Sequence, residues 1–283
     1  MPELPEVEVL KRHLAPLLQG RAVRGVCVRH AKVVRPATER DLRKLLIGAA
    51  FTRLERRGKY LLFTLHRPDR RAPIVLTGHL GMTGRMFLQP KSAPLPKHAV
   101  VVLDLGQHVF VYEDVRRFGR FTPGNEAARA LGPEPLDAAF TVDRLWAALR
   151  GSKQAVKVRL LDQARVAGIG NIYASEALFR AGLAPRRPAR RVTPAEVKRL
   201  HAAIRAVLRE AIASGSTIPL DFAGGEGRDG LFYYGVAEGQ SQFYQERLRV
   251  YDRAGQPCAD CGAIIRRIQQ AARSTYYCPH CQR

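Results

Sequence analysis

Apolar residues recur at Val7, Leu10, Leu14 and Leu17, steps of three and four, until Gly20 ends the run. That period predicts an amphipathic helix over residues 3–18. Proline fits a first helical turn, and Glu3, Glu6 and Glu8 suit the positive end of the helix dipole. The period then shortens. VRGVCVRH (23–30) alternates, with Cys27 expected as a buried strand residue. Residues 59–65, 73–86, 99–105 and 108–114 form further β-rich runs punctuated by Gly, Pro and Asp. Several short strands of this kind predict a β-sandwich or barrel. A turn-rich stretch at 124–136 reads as a linker. Beyond it Thr141 caps a helix through Trp146 and Leu149, a second helix covers 153–164, and a third starts at Asn171 as its N-cap. Thr193-Pro194-Ala195-Glu196 is a capping box with proline at the first helical position, opening a helix to about residue 213. Residues 214–243, rich in glycine and aromatics, read as a long loop.

The chain has 283 residues, enough for two domains and a small appendage. Its charge changes the picture most: 47 Lys and Arg against 25 Asp and Glu, net +22. Such an excess selects a polyanionic partner, of which nucleic acid is the usual one. No stretch approaches 18 apolar residues and no basic amphipathic helix dominates, which argues against a membrane partner. No basic segment followed by an apolar core opens the chain, so a cytoplasmic protein is expected.

Four of the five cysteines cluster as Cys258-x2-Cys261 and Cys278-x2-Cys281, with sixteen residues between the pairs. Two such knuckles supply four thiolates to one tetrahedral Zn²⁺. With every position filled by protein the metal is a structural staple. Arg266, Arg267 and Arg273 lie between the knuckles, as in a finger that touches DNA. Gly168 and Gly170 precede the helix at Asn171, and a helix start after close-approach glycines offers N–H groups to a phosphate.

PELPEVE, RRGKYLL (56–62), HLGMTG (79–84), RRFG (116–119), LGPEPL (131–136), GIGNIYASE (168–176) and the four-cysteine end follow in one order. Together they resemble the bacterial formamidopyrimidine-DNA glycosylases over essentially the whole chain. The resemblance implies a multidomain α+β fold: an N-terminal helix and β-sandwich (1–134), an all-α helix–two-turn–helix domain carrying the Gly-rich loop (135–243, loop about 217–243), and a β-hairpin zinc finger (244–283). It implies base-excision repair of oxidised purines in double-stranded DNA, by a monomer, with one structural Zn²⁺. With Met1 removed, Pro2 becomes a secondary amine that attacks C1′ and forms a Schiff base, followed by β- and δ-elimination. Glu3 moves protons on the sugar, Lys59 serves base removal or β-elimination, and Arg273 holds phosphate for the δ step. Met82, Arg116 and Phe118 form the wedge that fills the gap left by the flipped base. Asn171, His98 and Lys153 are implied as phosphate contacts.

Val115 stands where the family has proline before RRFG, and the 221–240 loop is unusual in sequence. The rival readings are an endonuclease VIII-like enzyme for oxidised pyrimidines, whose branch begins PEGPE where this chain has Leu4, and a non-enzymatic zinc-containing DNA binder. The latter explains charge and zinc but gives no role to an N-terminal Pro-Glu.

Overall fold

The computed structural model describes residues 2–215 and 247–283. Almost all of the expected Gly-rich loop falls outside them. The described chain divides into two compact units: Pro2 with Glu6–Arg129, and Glu3–Pro5 with 130–215 and 247–283.

In the first unit, α1 (Leu4–Leu18) buries Val7, Leu10, Leu14 and Leu18; Leu17 faces out, so the apolar stripe ends one residue later than the spacing suggested. β1 (Gly25–Val28) follows, then α2 (Glu39–Leu46), β2 (Ala50–Arg57), β3 (Tyr60–His66), β4 (Ile74–His79), β5 (Gly84–Pro90), β6 (Ala99–Asp104), β7 (His108–Asp114), β8 (Arg120–Pro123) and the short α3 (Glu126–Arg129). Two antiparallel four-stranded sheets result, ordered β1-β6-β7-β5 and β2-β3-β4-β8. Their shared core joins Phe51, Phe63, Phe110, Phe121 and Tyr112 to the buried side of α1. The 73–86 run is two strands, because 80–83 turns back to let β5 pair with β7. Cys27 lies on β1 as expected but is exposed: the strand turns Val26 to the core and Cys27 outward.

In the second unit, α4 (Val142–Leu149) is capped by Thr141, whose hydroxyl accepts from the Arg144 N–H. α5 covers only Val156–Leu160, shorter than expected, because Ala155 bridges Pro188 and the carbonyls of Ser152 and Gln154 accept from the Arg190 and Ala189 N–H groups. α6 (Asn171–Arg180) starts one residue after its N-cap, which is Gly170 rather than Asn171. α7 (Pro194–Ala213) carries the complete capping box of Thr193 and Glu196. The hairpin of β9 (Arg266–Gln270) and β10 (Arg273–Tyr277) completes the unit. Leu4 belongs to the core of this unit, with Phe140, Leu145, Ile169, Tyr173 and Leu200.

Candidate functional site

In the first unit two loops are pinned together. The fully buried Asp114 carboxylate accepts from the Thr83 hydroxyl at 2.7 Å, the Arg116 N–H at 3.2 Å and the Gly119 N–H at 2.8 Å. A Cβ on Gly81 would meet the Gly119 nitrogen at 2.6 Å, so only glycine permits this approach. At the loop tips Met82 is 41% exposed and Phe118 51%. Neither is a core residue. The Arg116 guanidinium lies 5.0 Å from the Phe118 ring centroid. Val115, also exposed, adds no stiffness of its own; Asp114 fixes the loop. His98 joins this region through its carbonyl, which accepts from the Asp114 N–H at 3.1 Å.

Lys59 is buried in the two-residue turn between β2 and β3. Gly58 supplies the turn's positive φ of 57°. Arg56 binds the Gly58 carbonyl at 3.2 Å and the Glu8 carboxylate of α1 at 2.9 Å, so the helix fixes the turn that carries Lys59. Next to it, His79 packs on the Tyr60 ring at 4.7 Å and accepts the Gly81 N–H on Nδ1, which leaves Nε2 protonated. Burial lowers the His79 pKa to about 4; the charges of Lys59 and Arg120 act the same way and Asp114 opposes them. His79 is therefore neutral at pH 7. It stood in the HLGMTG run, but nothing in the sequence showed its burial.

In the second unit the chain start is clamped. Glu3 is 1% exposed, and its carboxylate accepts from the N–H groups of Gly170 (2.7 Å), Ile172 (2.9 Å) and Tyr173 (3.4 Å). The Leu4 N–H donates to the Gly168 carbonyl at 3.1 Å. The Gly170, Ile172 and Tyr173 N–H groups are orphan donors at the start of α6, where the dipole favours an anion. The sequence suggested a phosphate there; a protein carboxylate holds the place instead. The two glycines serve the same approach. A Cβ on Gly170 would lie 2.3 Å from the Glu3 carboxyl carbon, and one on Gly168 2.7 Å from Leu4.

Asn171 points elsewhere. Its Oδ1 accepts from Lys157 Nζ at 2.6 Å, and its Nδ2 donates to the Ser274 carbonyl at 2.9 Å. Lys157, 1% exposed, also donates to Thr275 Oγ1 (2.7 Å) and the Ser274 carbonyl (3.2 Å), so all three ammonium protons are used. Burial lowers its pKa to about 7; the nearby Glu3 charge opposes this and Arg273 assists it. Glu3, Asn171 and Arg273 thus converge on one buried lysine that the sequence reading did not single out. Lys153 is exposed. Arg273 itself follows a turn in which both Ala271 and Ala272 have positive φ, 46° and 59°. Glu176, also missed, is buried on α6 and accepts from the N–H groups of Arg249, Val250 and Tyr251 at 2.8–3.0 Å, anchoring the approach to the hairpin.

The sulfurs of Cys258, Cys261, Cys278 and Cys281 lie within 4.8 Å of one another. The closer separations are 4.0 Å (Cys258–Cys281) and 3.5 Å (Cys261–Cys278), too long for disulfides. Zinc–sulfur bonds of about 2.3 Å in a tetrahedron require about 3.8 Å between sulfurs. The donor set fits one Zn²⁺ with no open position.

Residues 1–121 match the formamidopyrimidine-DNA glycosylase N-terminal domain, 131–221 the H2TH domain of the same enzymes, and 255–283 the zinc finger found in FPG and IleRS. A formamidopyrimidine-DNA glycosylase of Alkalilimnicola ehrlichii is 44% identical, with both chains covered completely. Among solved structures, a point mutant of the Lactococcus lactis FPG in complex with Fapy-dG-containing DNA superposes with TM-score 0.87 at 30% identity, each chain covered completely. MutM in complex with carbocyclic 8-oxo-G-containing DNA gives 0.85 at 31%, again over both whole chains. The chain belongs to the formamidopyrimidine-DNA glycosylase family. It is a DNA glycosylase of base-excision repair, in a family whose activities include abasic-site lyase. Its C-terminal finger is a zinc site. Among the described residues no helix is long and apolar enough to cross a membrane.

Proposed function

We propose that this protein excises oxidised purines, 8-oxoguanine and formamidopyrimidines, from duplex DNA and cuts the resulting abasic site, acting as a cytoplasmic monomer. With Met1 removed, the Pro2 nitrogen is a secondary amine with an ordinary pKa of about 8, so a useful fraction is neutral at pH 7. It attacks C1′ of the damaged nucleotide. The glycosidic bond breaks and the base leaves with a proton. The sugar ring then opens to a positively charged iminium ion between C1′ and the proline nitrogen. Loss of the C2′ proton expels the 3′ phosphate, and a second elimination expels the 5′ phosphate. Glu3 exchanges protons with the opening sugar, Lys59 serves base departure or β-elimination, and Arg273 binds phosphate in the δ step. Met82, Arg116 and Phe118 enter the base step vacated by the flipped nucleotide. His98, Lys153 and Asn171 hold phosphates; Asn171 does so from a place already tied to Lys157 and Ser274. Cys258, Cys261, Cys278 and Cys281 bind a zinc ion that takes no part in the chemistry.

The observation that carries this reading is the Glu3 clamp. A carboxylate held by three backbone N–H groups fixes the chain one peptide bond from the Pro2 nitrogen. Attack on a single carbon requires such fixation, since reacting atoms must be held close to about 3 Å. The test is borohydride trapping on a duplex with 8-oxoguanine opposite cytosine, followed by mass mapping of the adduct. An adduct on Pro2 is expected, and protein with an extra residue before Pro2 should give none while still binding DNA. No adduct from Met1-free protein, on this substrate or on abasic DNA, would overturn the reading.

A further inference from the structure

We propose that Lys153, Arg186, Arg190, Arg191 and Arg266 form a cationic ridge that holds the phosphate backbone of duplex DNA flanking the lesion. The inference rests on the reading above for its choice of polyanion. It begins from the backbone. Residues 152–157 run antiparallel to 185–190. The Ala189 and Arg190 N–H groups donate to the carbonyls of Gln154 and Ser152 (2.8 and 2.9 Å), and the Val156 and Lys157 N–H groups to those of Arg187 and Pro185 (2.8 and 3.3 Å). Ala155 pairs with Pro188. This register sets Lys153 opposite Arg190, with Arg191 next in the chain. Like charges directly opposite each other destabilise such a pair. A fold that keeps them has no local use for them.

The neighbouring cations are handled differently. Arg187, on the same strip, is paired with Glu196 at 2.6 Å, and Arg159 with Asp162 at 3.2 Å. Among the described residues none of the five ridge cations has a carboxylate partner. Arg186 is held in place by an aromatic ring: its guanidinium lies 5.7 Å from the Tyr277 centroid and donates to the Tyr277 hydroxyl at 3.2 Å. Arg266 sits directly across β9–β10 from Tyr277, on the same face. The Gln270 side chain donates to the Pro185 carbonyl at 3.3 Å, tying hairpin to strip. The ridge is therefore continuous across two pieces of chain and mounted on hydrogen-bonded backbone. Exposed, unneutralised guanidinium groups on a fixed backbone suit phosphate, which they grip with paired donors.

Spacing says where on the duplex the ridge acts. Lys157 reaches Asn171 and the surroundings of Glu3. The chain from Lys157 back to Lys153, whose first residues belong to α5, spans less than four fully extended residues would, about 14 Å, the axial length of about four base pairs. The ridge thus starts within about four pairs of the reacting nucleotide, and it binds backbone without regard to sequence.

The test measures equilibrium binding to an undamaged duplex of about 30 base pairs between about 50 and 200 mM salt. Arg186, Arg190 and Arg191 are changed together to Gln (R186Q, R190Q, R191Q), and the control is R40Q with R70Q and R71Q, which removes the same charge from exposed positions elsewhere. Each lost phosphate contact flattens the slope of log K against log salt by about 0.9. The ridge variant is expected to lose between two and three units of slope, and the control none. R190Q with R191Q, which leaves the Arg186–Tyr277 contact in place, should lose about two thirds of that change and guards against a folding artefact. An unchanged slope in both ridge variants, or an equal loss in the control, overturns the ridge. Borohydride trapping by the unaltered enzyme reports separately on the catalytic reading. Trapping with no change in slope removes the ridge alone; a change in slope without trapping removes the catalytic reading and leaves the ridge as a duplex contact.

Discussion

Gly170 decides whether Glu3 can exist where it does. Its φ is −128°, so alanine suits the backbone, but the new Cβ would overlap the Glu3 carboxyl group at 2.3–2.7 Å. Gly170→Ala should therefore push Glu3 and the adjoining Pro2 off their positions. We expect a loss of about 1–3 kcal/mol in stability by urea unfolding, and a fall of about 100-fold or more in the rate of borohydride trapping. Gly151→Ala, where no atom lies within 4 Å of the new Cβ, should change neither. His79 provides a second residue-scale test. Its pKa falls from 6.5 to about 4 on folding. Between these values the unfolded chain binds the extra proton and the folded chain does not, so stability rises with pH there. The contribution is complete above about pH 6.5, declines on acidification through that window and is flat below about 4. At 1.36 kcal/mol per unit it reaches about 3 kcal/mol. Urea melts at several pH values should show this slope, and His79→Asn should remove it. Of this chemistry the sequence displayed residue types and order. Glu3 read correctly as an anion suited to a helix start, but the helix it serves begins at Asn171. A partner so far along the chain leaves no periodic trace near residue 3. Lys157 was hidden for a similar reason: in a chain with 47 basic residues, burial is what sets one lysine apart.

Elements were legible where their signals are local. Thr193 and Glu196 satisfy each other within one turn, and α7 begins where the box predicts. The same device with aspartate, Thr38 and Asp41, opens α2 and went unread. β2 and β8 were also missed, and they are the two edge strands of one sheet. Edge strands carry charged and exposed residues that blunt further pairing, so AFTRLERR and RFTP lack the apolar alternation of the inner strands. α5 is shorter than its apparent helical period because residues 152–155 are bonded to 188–190 instead of to the helix. At this scale Glu176 joins α6 to the chain entering the finger. Gln at this position could still accept from Val250 and Tyr251 at one oxygen, but its amide would face the Arg249 N–H donor to donor. Glu176→Gln should cost about 1–3 kcal/mol and speed the capture of zinc by a colorimetric chelator, with α7 and its capping box unaffected.

Across the whole molecule, the excess of +22 is unevenly used. Some cations are locked into the fold, as Arg56 is with Glu8 and Arg187 with Glu196. Others, on the ridge and at Arg116, have no carboxylate partner among the described residues. Overall charge identified the kind of partner from composition alone, but only the pairing pattern separates structural arginines from available ones. The clamp on Glu3 also has a consequence in time. Its donors lie at residues 170–173, so in synthesis Glu3 waits for a stretch made about 170 residues later. At 5–20 residues per second, that is roughly 10–30 s of synthesis. A nascent chain carrying a finished sandwich still lacks the donors that hold Glu3.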